Sequence, residues 1–302
     1  MTGQQVSTVA VLRNPTAGRG RHGETVQRAL AALAVPGHEV RVLDADSIDS
    51  ALAACHHAVA DGASALVAVG GDGTVHLALQ AVAGTGVPFG VIPAGTGNDF
   101  ATEAGLPADP VAAATAIADA LGHGRTRTLD LGKINGPVSY ERWFCAVLGA
   151  GFDAIVNERA NAMAWPKGPR RYDIAIFAEL LRLRPRRYRL TLDGEVSELD
   201  AVLVAVGNTA SYGGGMRMCP AADLTDGLLD VVVAGPVSRA TLLRLQPRVY
   251  KGTHVQHPAV RSFTARSVRI EADGITAYAD GERTCPLPIT VTAQPGALRL
   301  LA

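Results

Sequence analysis

A chain of 302 residues has room for two domains, each with its own core. Hydrophobic residues make up 48% of it, yet no uninterrupted apolar run approaches the roughly 20 residues that cross a bilayer, so a soluble protein is expected. Twenty-eight basic and 28 acidic residues cancel, which argues against a nucleic-acid protein that depends on a broad basic field.

The four cysteines, Cys55, Cys145, Cys219 and Cys285, show neither C-x-x-C spacing nor histidine partners at ligand spacing, so reduced, buried thiols are expected. His56 and His57 are adjacent in a helical stretch and point in different directions, which does not suit a metal pair. Met1-Thr2-Gly3-Gln4-Gln5 has neither the basic nor the apolar character of a secretory signal, and a cytoplasmic location is the expectation.

In chain order, the pattern predicts strand 8–13, helix 23–34, strand 38–43, helix 47–60, strand 64–69, helix 74–83, strand 89–92, helix 98–104 and helix 110–121. Such βα alternation implies a doubly wound parallel sheet with helices on both faces, ending near Gly122-His123-Gly124. From residue 127 the texture changes to strand-like runs at 128–134, 140–147, 188–192, 201–206, 228–233, 267–271, 275–279, 289–292 and 298–301, interrupted by helices near 152–161, 170–183 and 238–245. The fold class is therefore α/β, with an α/β domain over 1–126 and a mostly antiparallel β domain over 127–302.

Three polar, glycine-rich loops follow strands of the first half. Gly70-Gly71-Asp72-Gly73-Thr74 follows Ala65–Val69, Asn14-Pro15-Thr16-Ala17-Gly18-Arg19-Gly20 follows Val9–Leu12, and Pro93-Ala94-Gly95-Thr96-Gly97-Asn98-Asp99-Phe100 follows Phe89–Ile92. Glycine lets backbone N–H groups approach phosphate oxygens without Cβ obstruction, and the helix N-terminus beyond adds favourable dipole. Loops at equivalent strand ends of an open α/β sheet can converge on one ligand. The G-x-x-x-x-G-K-[ST] pattern is absent, so the phosphates must be held another way. Asp72 beside phosphate is repulsive unless a metal ion or a donor hydroxyl intervenes. The segment also reads as a glycine-rich βα turn with an ordinary capping Asp.

Taken together and in order, the Asn14–Gly18, Gly70–Thr74 and Pro93–Phe100 segments resemble the diacylglycerol kinase catalytic family, which includes bacterial lipid kinases and is related to sphingosine kinases. Asp226-Gly227-Leu228-Leu229-Asp230-Val231 and Asp280-Gly281-Glu282 resemble that family's two later motifs. Gly-Gly-Asp-Gly also occurs in NAD kinases, which share the architecture; Asn98-Asp99-Phe100 and the Asn14–Gly18 loop favour the lipid-kinase branch. The resemblance implies a nucleotide domain followed by a β-sandwich lipid-substrate domain, with the active site between them. It further implies ATP as phosphate donor, Mg²⁺, diacylglycerol as substrate, peripheral contact with the inner face of the membrane, no nucleic-acid partner, and allows a homodimer.

Phosphoryl transfer to an alcohol needs a held nucleotide, neutralised charge and a proton acceptor. The backbone of Asn14, Pro15, Thr16, Ala17 and Gly18 and of Gly71, Asp72, Gly73 and Thr74 would cradle phosphates, with Thr96 adding a hydroxyl. Asn98 caps the following helix in one reading and lines the nucleotide site in another; Arg19 and Arg21 are γ-phosphate contacts or exposed loop residues. By resemblance Glu282 is the proton acceptor, with Asp72 as runner-up; the bland reading of Asp280-Gly281-Glu282 is a type I′ hairpin turn. The resemblance also assigns a structural Mg²⁺ to Asp223, Asp226 and the carbonyl of Leu228, against a plain turn with no ion. Gly207-Asn208 and Tyr212–Met216 resemble a flexible segment bordering the lipid channel.

One position departs from the family pattern: after His76, Leu77 stands where an acid is usual. Arg182, Arg184, Arg186, Arg187 and Arg189 form either a basic rim for anionic headgroups, with Trp165 and Phe177 as anchors, or a solvated helix end and strand. The resulting expectation is a diacylglycerol kinase giving phosphatidic acid. Its rivals are a kinase for another lipid or NAD, and a decayed lipid- or nucleotide-binding protein.

Overall fold

The computed structural model describes residues 7–13, 22–43, 45–152, 154–156, 159 and 184–302. They form two compact units, residues 1–131 with 295–302, and residues 132–294. In the first unit, strands β1 (Ser7–Arg13), β2 (His38–Leu43), β3 (Ala65–Gly70) and β4 (Pro88–Pro93) lie parallel in the order β2-β1-β3-β4. Every residue of β3 is buried, because helices cover the sheet on both faces and leave no wet side for a polar residue. The helices are α1 (His22–Ala32), α2 (Ile48–Ala60), α3 (Asp72–Val82), α4 (Asp99–Glu103) and α5 (Pro110–Gly122). Helix α1 packs with α5, and α2 with α3. Val26, Ala29 and Leu33 meet Ala114, Ile117 and Ala120 over Val9, Val11 and Val67.

Local chemistry sets the helix starts. Ser47 accepts the Ser50 N–H and returns its own N–H to the Ser50 hydroxyl, a reciprocal cap for α2. Asp109 accepts the Ala112 N–H at 2.8 Å, with Pro110 in the first helical position of α5 where no N–H is needed. Burial pushes the Cys55 thiol up to about 12, so this cysteine is the inert apolar residue expected.

The second unit holds two antiparallel sheets. One has the order β12-β11-β10-β7-β14-β15, from β7 (Val147–Gly151), β10 (Leu203–Gly207), β11 (Leu229–Ala234), β12 (Val260–Ala265), β14 (Thr276–Ala279) and β15 (Glu282–Pro286). The other joins β8 (Arg186–Leu192) to β9 (Glu195–Ala201) and β13 (Ser267–Glu271), and β13 to the first part of β16 (Ile289–Leu300). Strand β5 (Arg127–Asn135) pairs with β6 (Glu141–Phe144) as a hairpin. Leu148, Val204, Val206, Val231 and Val233 of the first sheet pack on Leu190, Val268, Ile270 and Val291 of the second. The other face of the first sheet is covered too, by Met218, Cys219 and helix α6 (Arg239–Tyr250), so β10 is buried throughout.

Several elements differ from the sequence expectation. The run 140–147 is two strands broken at Cys145-Ala146, and 289–292 with 298–301 is one strand. Strands β9, β12 and β15 were not predicted; β9 buries only Ala201 and therefore shows no apolar alternation. Phe152, residues 154–156 and Arg159 are helical as expected near 152–161. The expected helix 170–183 lies outside the described residues, as do Trp165, Phe177 and Arg182.

Candidate active site

Two of the three glycine-rich loops are described, and the sheet brings them into contact. Register places Gly70 beside Pro93, so the loops after β3 and β4 leave the sheet side by side, tied by the Ala94 N–H to the Gly70 carbonyl at 2.9 Å. A Cβ on Gly95 would sit 2.3 Å from the Cα of Gly71, so Gly95 excludes any side chain, and one on Gly71 would press on the Gly95 Cα at 3.1 Å. A Cβ on Gly70 would fall 2.3 Å from the Thr74 hydroxyl. Gly73 and Thr96 are exposed and Thr74 is buried. Strand β1 ends with Arg13 beside Val69, at the same carboxyl end of the sheet. The residues after it, Asn14, Pro15, Thr16, Ala17 and Gly18 with Arg19 and Arg21, lie outside the described residues.

Asn98 corrects one expectation. It has left-handed backbone (φ 57°) and does not cap α4 with its side chain. Its Oδ1 accepts the Gly95 N–H and its Nδ2 donates to the Gly95 carbonyl, both at 3.0 Å, which closes the 95–98 loop on itself. The α4 N-terminus is served from α3 instead: Asp72 Oδ1 accepts the Phe100 N–H at 3.2 Å. One carboxylate thus sits in the first turn of α3 and binds the first turn of α4, where both helix dipoles favour negative charge. Even so, the Asp72 pKa is raised, first by burial and further by the neighbouring Asp99 charge, while the N–H groups of Phe100, Asp99 and Asn98 pull it down.

In the second unit, Asp280-Gly281 is the turn between β14 and β15, with φ of 52° and 82°, the two positive values of a type I′ turn. The Asp280 carboxylate points back and accepts the N–H groups of Cys145 at 3.0 Å and Ala146 at 2.8 Å. Glu282 opens β15 and is exposed. A second Asp-Gly-Glu occurs at residues 193–195 and folds the same way. Asp193 and Gly194 have φ of 47° and 95°, and Asp193 accepts the N–H groups of Arg266 at 3.0 Å and Ser267 at 2.8 Å. The aspartate of this triplet is therefore a hairpin clamp in both places, and only the third residue is free to differ in role. Sequence reasoning offered the type I′ turn at Asp280-Gly281 but passed over the one at Asp193-Gly194 and the carboxylate clamp of both, although Asp-Gly between strands signals the turn.

The 223–230 turn is built from side chain to backbone bonds. Asp223 Oδ1 accepts the Thr225 N–H at 2.9 Å and its hydroxyl at 2.7 Å, and Asp226 Oδ1 accepts the Leu228 N–H at 2.9 Å. Asp230, buried on β11, is pushed up to about 6 by burial and then by the charge of Asp226. An aspartate inside the apolar run Leu228–Val233 was the signal that could have singled it out. Among the described residues no three His, Cys, Asp or Glu side chains gather into a metal-binding group. What the turn offers is two neighbouring carboxylates and backbone carbonyls, an all-oxygen donor set that fits a hard divalent cation.

Tyr212 and Met216 exchange backbone hydrogen bonds around Gly213, Gly214 and Gly215, all at positive φ, so the glycine segment is a tight loop. Asn208, buried nearby in sequence, donates to the Cys145 carbonyl at 3.0 Å. The arginine-rich stretch takes the bland reading where it is described: Arg187 pairs with Glu198 at 2.8 Å and Arg189 with Glu271 at 3.7 Å on the outer side of an alternating strand.

Comparison with known proteins places these features in context. Residues 8–134 match the family model described as diacylglycerol kinase catalytic domain, and residues 146–302 the YegS C-terminal NAD kinase beta sandwich-like domain. A protein from Mycobacterium tuberculosis (strain ATCC 25618 / H37Rv) named diacylglycerol kinase is 47% identical over 302 residues, covering 98% of this chain and 96% of that one. One of the same name from Staphylococcus epidermidis (strain ATCC 12228 / FDA PCI 1200) is 28% identical over 282 residues, with 92% and 86% covered. Among solved structures, a diacylglycerol kinase from Bacillus anthracis str. Sterne superposes with a TM-score of 0.70 at 22% identity, covering 98% of this chain and 96% of the other. An NAD kinase from Archaeoglobus fulgidus in complex with ATP does so at 0.56 and 13%, with 98% and 93% covered. At these identities the solved structures speak for the fold.

Proposed function

Because the chain belongs to the diacylglycerol kinase family, we propose that it transfers the γ-phosphoryl group of ATP to the hydroxyl of diacylglycerol, giving phosphatidic acid. The observation that carries this reading is the contact of Gly71 with Gly95. It fixes two loops, with no side chain between them, at the strand ends where an α/β sheet binds its ligand. Backbone N–H groups of Gly71, Asp72 and Gly73 and the Thr96 hydroxyl hold phosphates there, joined by the 14–18 loop, while the Thr74 N–H is spent on the Gly71 carbonyl at 2.9 Å and shapes the turn. Asn98 contributes by shaping the 95–98 turn.

Glu282 receives the hydroxyl proton. It stands on a turn held by two hydrogen bonds and is exposed to an incoming alcohol. Asp72 is less suited, since Oδ1 is committed to the Phe100 N–H; its part is to lock α3 to α4 beneath the phosphates. A carboxylate can take the proton of an alcohol as the oxygen bonds to phosphorus, because the alcohol becomes acidic as that bond forms. Charge neutralisation at the phosphates would come from Mg²⁺; the separate structural ion would be held at the second-unit turn by Asp223, Asp226 and the Leu228 carbonyl, with the Asp230 carboxylate close to Asp226. Leu77 is half-buried on α3, one position past the buried His76.

Among the described residues no helix is long and apolar enough to cross a membrane. The proposed encounter with the lipid is therefore peripheral, at the inner face of the membrane. The test is transfer of labelled γ-phosphate from ATP to diacylglycerol in mixed micelles, with other lipids and NAD as parallel acceptors. Label in another product alone would transfer the mechanism to that acceptor, and ATP binding without any transfer would favour the decayed binding protein.

A further inference from the structure

Helix α6 carries two apolar stripes. Leu245 is buried, and Val249 half-buried, against Val232, Val260 and Met218. Ala240, Leu243, Pro247 and Tyr250 recur at intervals of three, four and three and are exposed, Leu243 by 53% and Tyr250 by 48%. At 3.6 residues per turn these four fall in an arc of about 80° centred opposite Leu245. This outward stripe does nothing for the core. Arg244, Arg248 and Lys251 line one side of it, all exposed.

The stretch of chain that carries it is one-sided in charge. From Val231 to Ala265, which takes in α6, β12 and all but the start of β11, there are five arginines and lysines and not one aspartate or glutamate, although the whole chain is neutral. Arg217 approaches the end of α6 as well, since a Cβ on Gly252 would lie 3.5 Å from its Nε.

We propose that the outward face of α6 docks the protein on a bilayer containing anionic phospholipid. Leu243, Pro247 and Tyr250 enter the headgroup boundary, and the aliphatic stems of Arg244, Arg248 and Lys251 lie along it with their charges on lipid phosphates. The tyrosine suits that depth, apolar at the ring and polar at the hydroxyl. A second copy of the chain is the poorer occupant: a two-fold contact through this face sets Arg244, Arg248 and Lys251 against their own images. Arg187 and Arg189 of β8 are poorer too, being paired with Glu198 and Glu271.

The proposal rests on the peripheral-membrane reading but not on phosphoryl transfer. Its test is co-sedimentation of the full chain with phosphatidylcholine vesicles, with and without phosphatidylglycerol. Wild type should bind only the anionic vesicles and be released by salt. Arg244→Gln with Arg248→Gln should weaken binding roughly thirty-fold, on the scale of a five-fold loss for each cation removed. Leu243→Ser with Tyr250→Ser should weaken it also, with an unchanged melting temperature because both sites are exposed. Arg186→Glu on β8 should bind as wild type does. Full binding by both double variants overturns the assignment to α6 and leaves the membrane reading standing. Failure of wild type to bind any vesicle overturns both, and self-association lost in the Leu243/Tyr250 variant assigns the face to a second copy instead.

Discussion

Asp193 and Asp280 do the same job at two hairpins: each opens an Asp-Gly turn at positive φ, and each carboxylate takes two consecutive backbone N–H groups. For Asp280 those groups flank the break between β6 and β7, so the turn that presents Glu282 is pinned to the chain 134 residues away. Asp280→Ala leaves two N–H groups unpaired and puts a Cβ-bearing apolar residue at φ 52°. A loss of about 2–4 kcal/mol is expected by denaturant titration. Turnover should fall with it and recover in part in Asp280→Asn, which keeps an acceptor and tolerates the left-handed region. Unchanged stability in the alanine variant would mean that the clamp holds nothing.

Asp72 separates a structural carboxylate from a chemical one. Asp72→Ala removes the acceptor for the Phe100 N–H and should lower stability by about 1 kcal/mol, the usual worth of a helix cap. Asp72→Asn retains an oxygen at that position and should melt close to wild type while keeping much of the turnover. If the asparagine variant folds fully and is as inactive as the alanine one, Asp72 rather than Glu282 is the proton acceptor.

Gly95 tests the loop contact. A methyl group there would lie 2.3 Å from the Gly71 Cα, and backbone cannot rotate out of the way as a side chain can. Gly95→Ala should therefore weaken ATP binding by at least ten-fold and cost about 1–3 kcal/mol of stability. Wild-type affinity measured by calorimetry would show that the two loops part without consequence.

Asp230 makes stability depend on pH. Its folded pKa, about 6, stands above the unfolded 3.8, so the folded chain holds this proton more tightly. The contribution is fully present below about pH 3.8 and is lost as pH rises through about 6, about 3 kcal/mol in all. A cation shared with Asp226 would favour the ionised form, so added Mg²⁺ should raise the melting temperature at pH above 7 far more than near pH 4.5. Asp230→Asn should flatten both effects. An Mg²⁺ response equal at the two pH values would remove the ion from this turn.

What sequence could and could not show follows from where each signal lives. Strands such as β3 and β11 announce themselves as apolar runs, and the glycine loops directly follow strands of the first half, so the α/β half and the places of its glycine loops were legible. Strands β9 and β12 sit at sheet edges with mostly exposed side chains, Ala201 and a few others excepted, and lack the alternation that marks a half-buried strand. Pro295-Gly296 looked like a break, yet the Gly296 N–H finds Asp130 Oδ1 at 2.7 Å and the strand runs on. The site contacts that matter most, Asp72 with Phe100 and Gly71 with Gly95, join residues of different βα units. Asp230 was in view as part of a motif, but its coupling to Asp226 depends on burial that only the folded strand supplies.

The repeated Asp-Gly-Glu supplies the most direct measurement. Labelled γ-phosphate transfer from ATP to diacylglycerol should be compared in wild type, Glu282→Gln and Glu195→Gln, with ATP binding followed in each. The two glutamates open their strands after the same clamped turn, so a general loss of charge or of hairpin geometry would affect both. The account predicts label in phosphatidic acid with wild type and with Glu195→Gln, and a fall of about 10²–10⁴ in Glu282→Gln with ATP binding intact. Equal turnover in the two variants, or no label in phosphatidic acid with wild type, would contradict it.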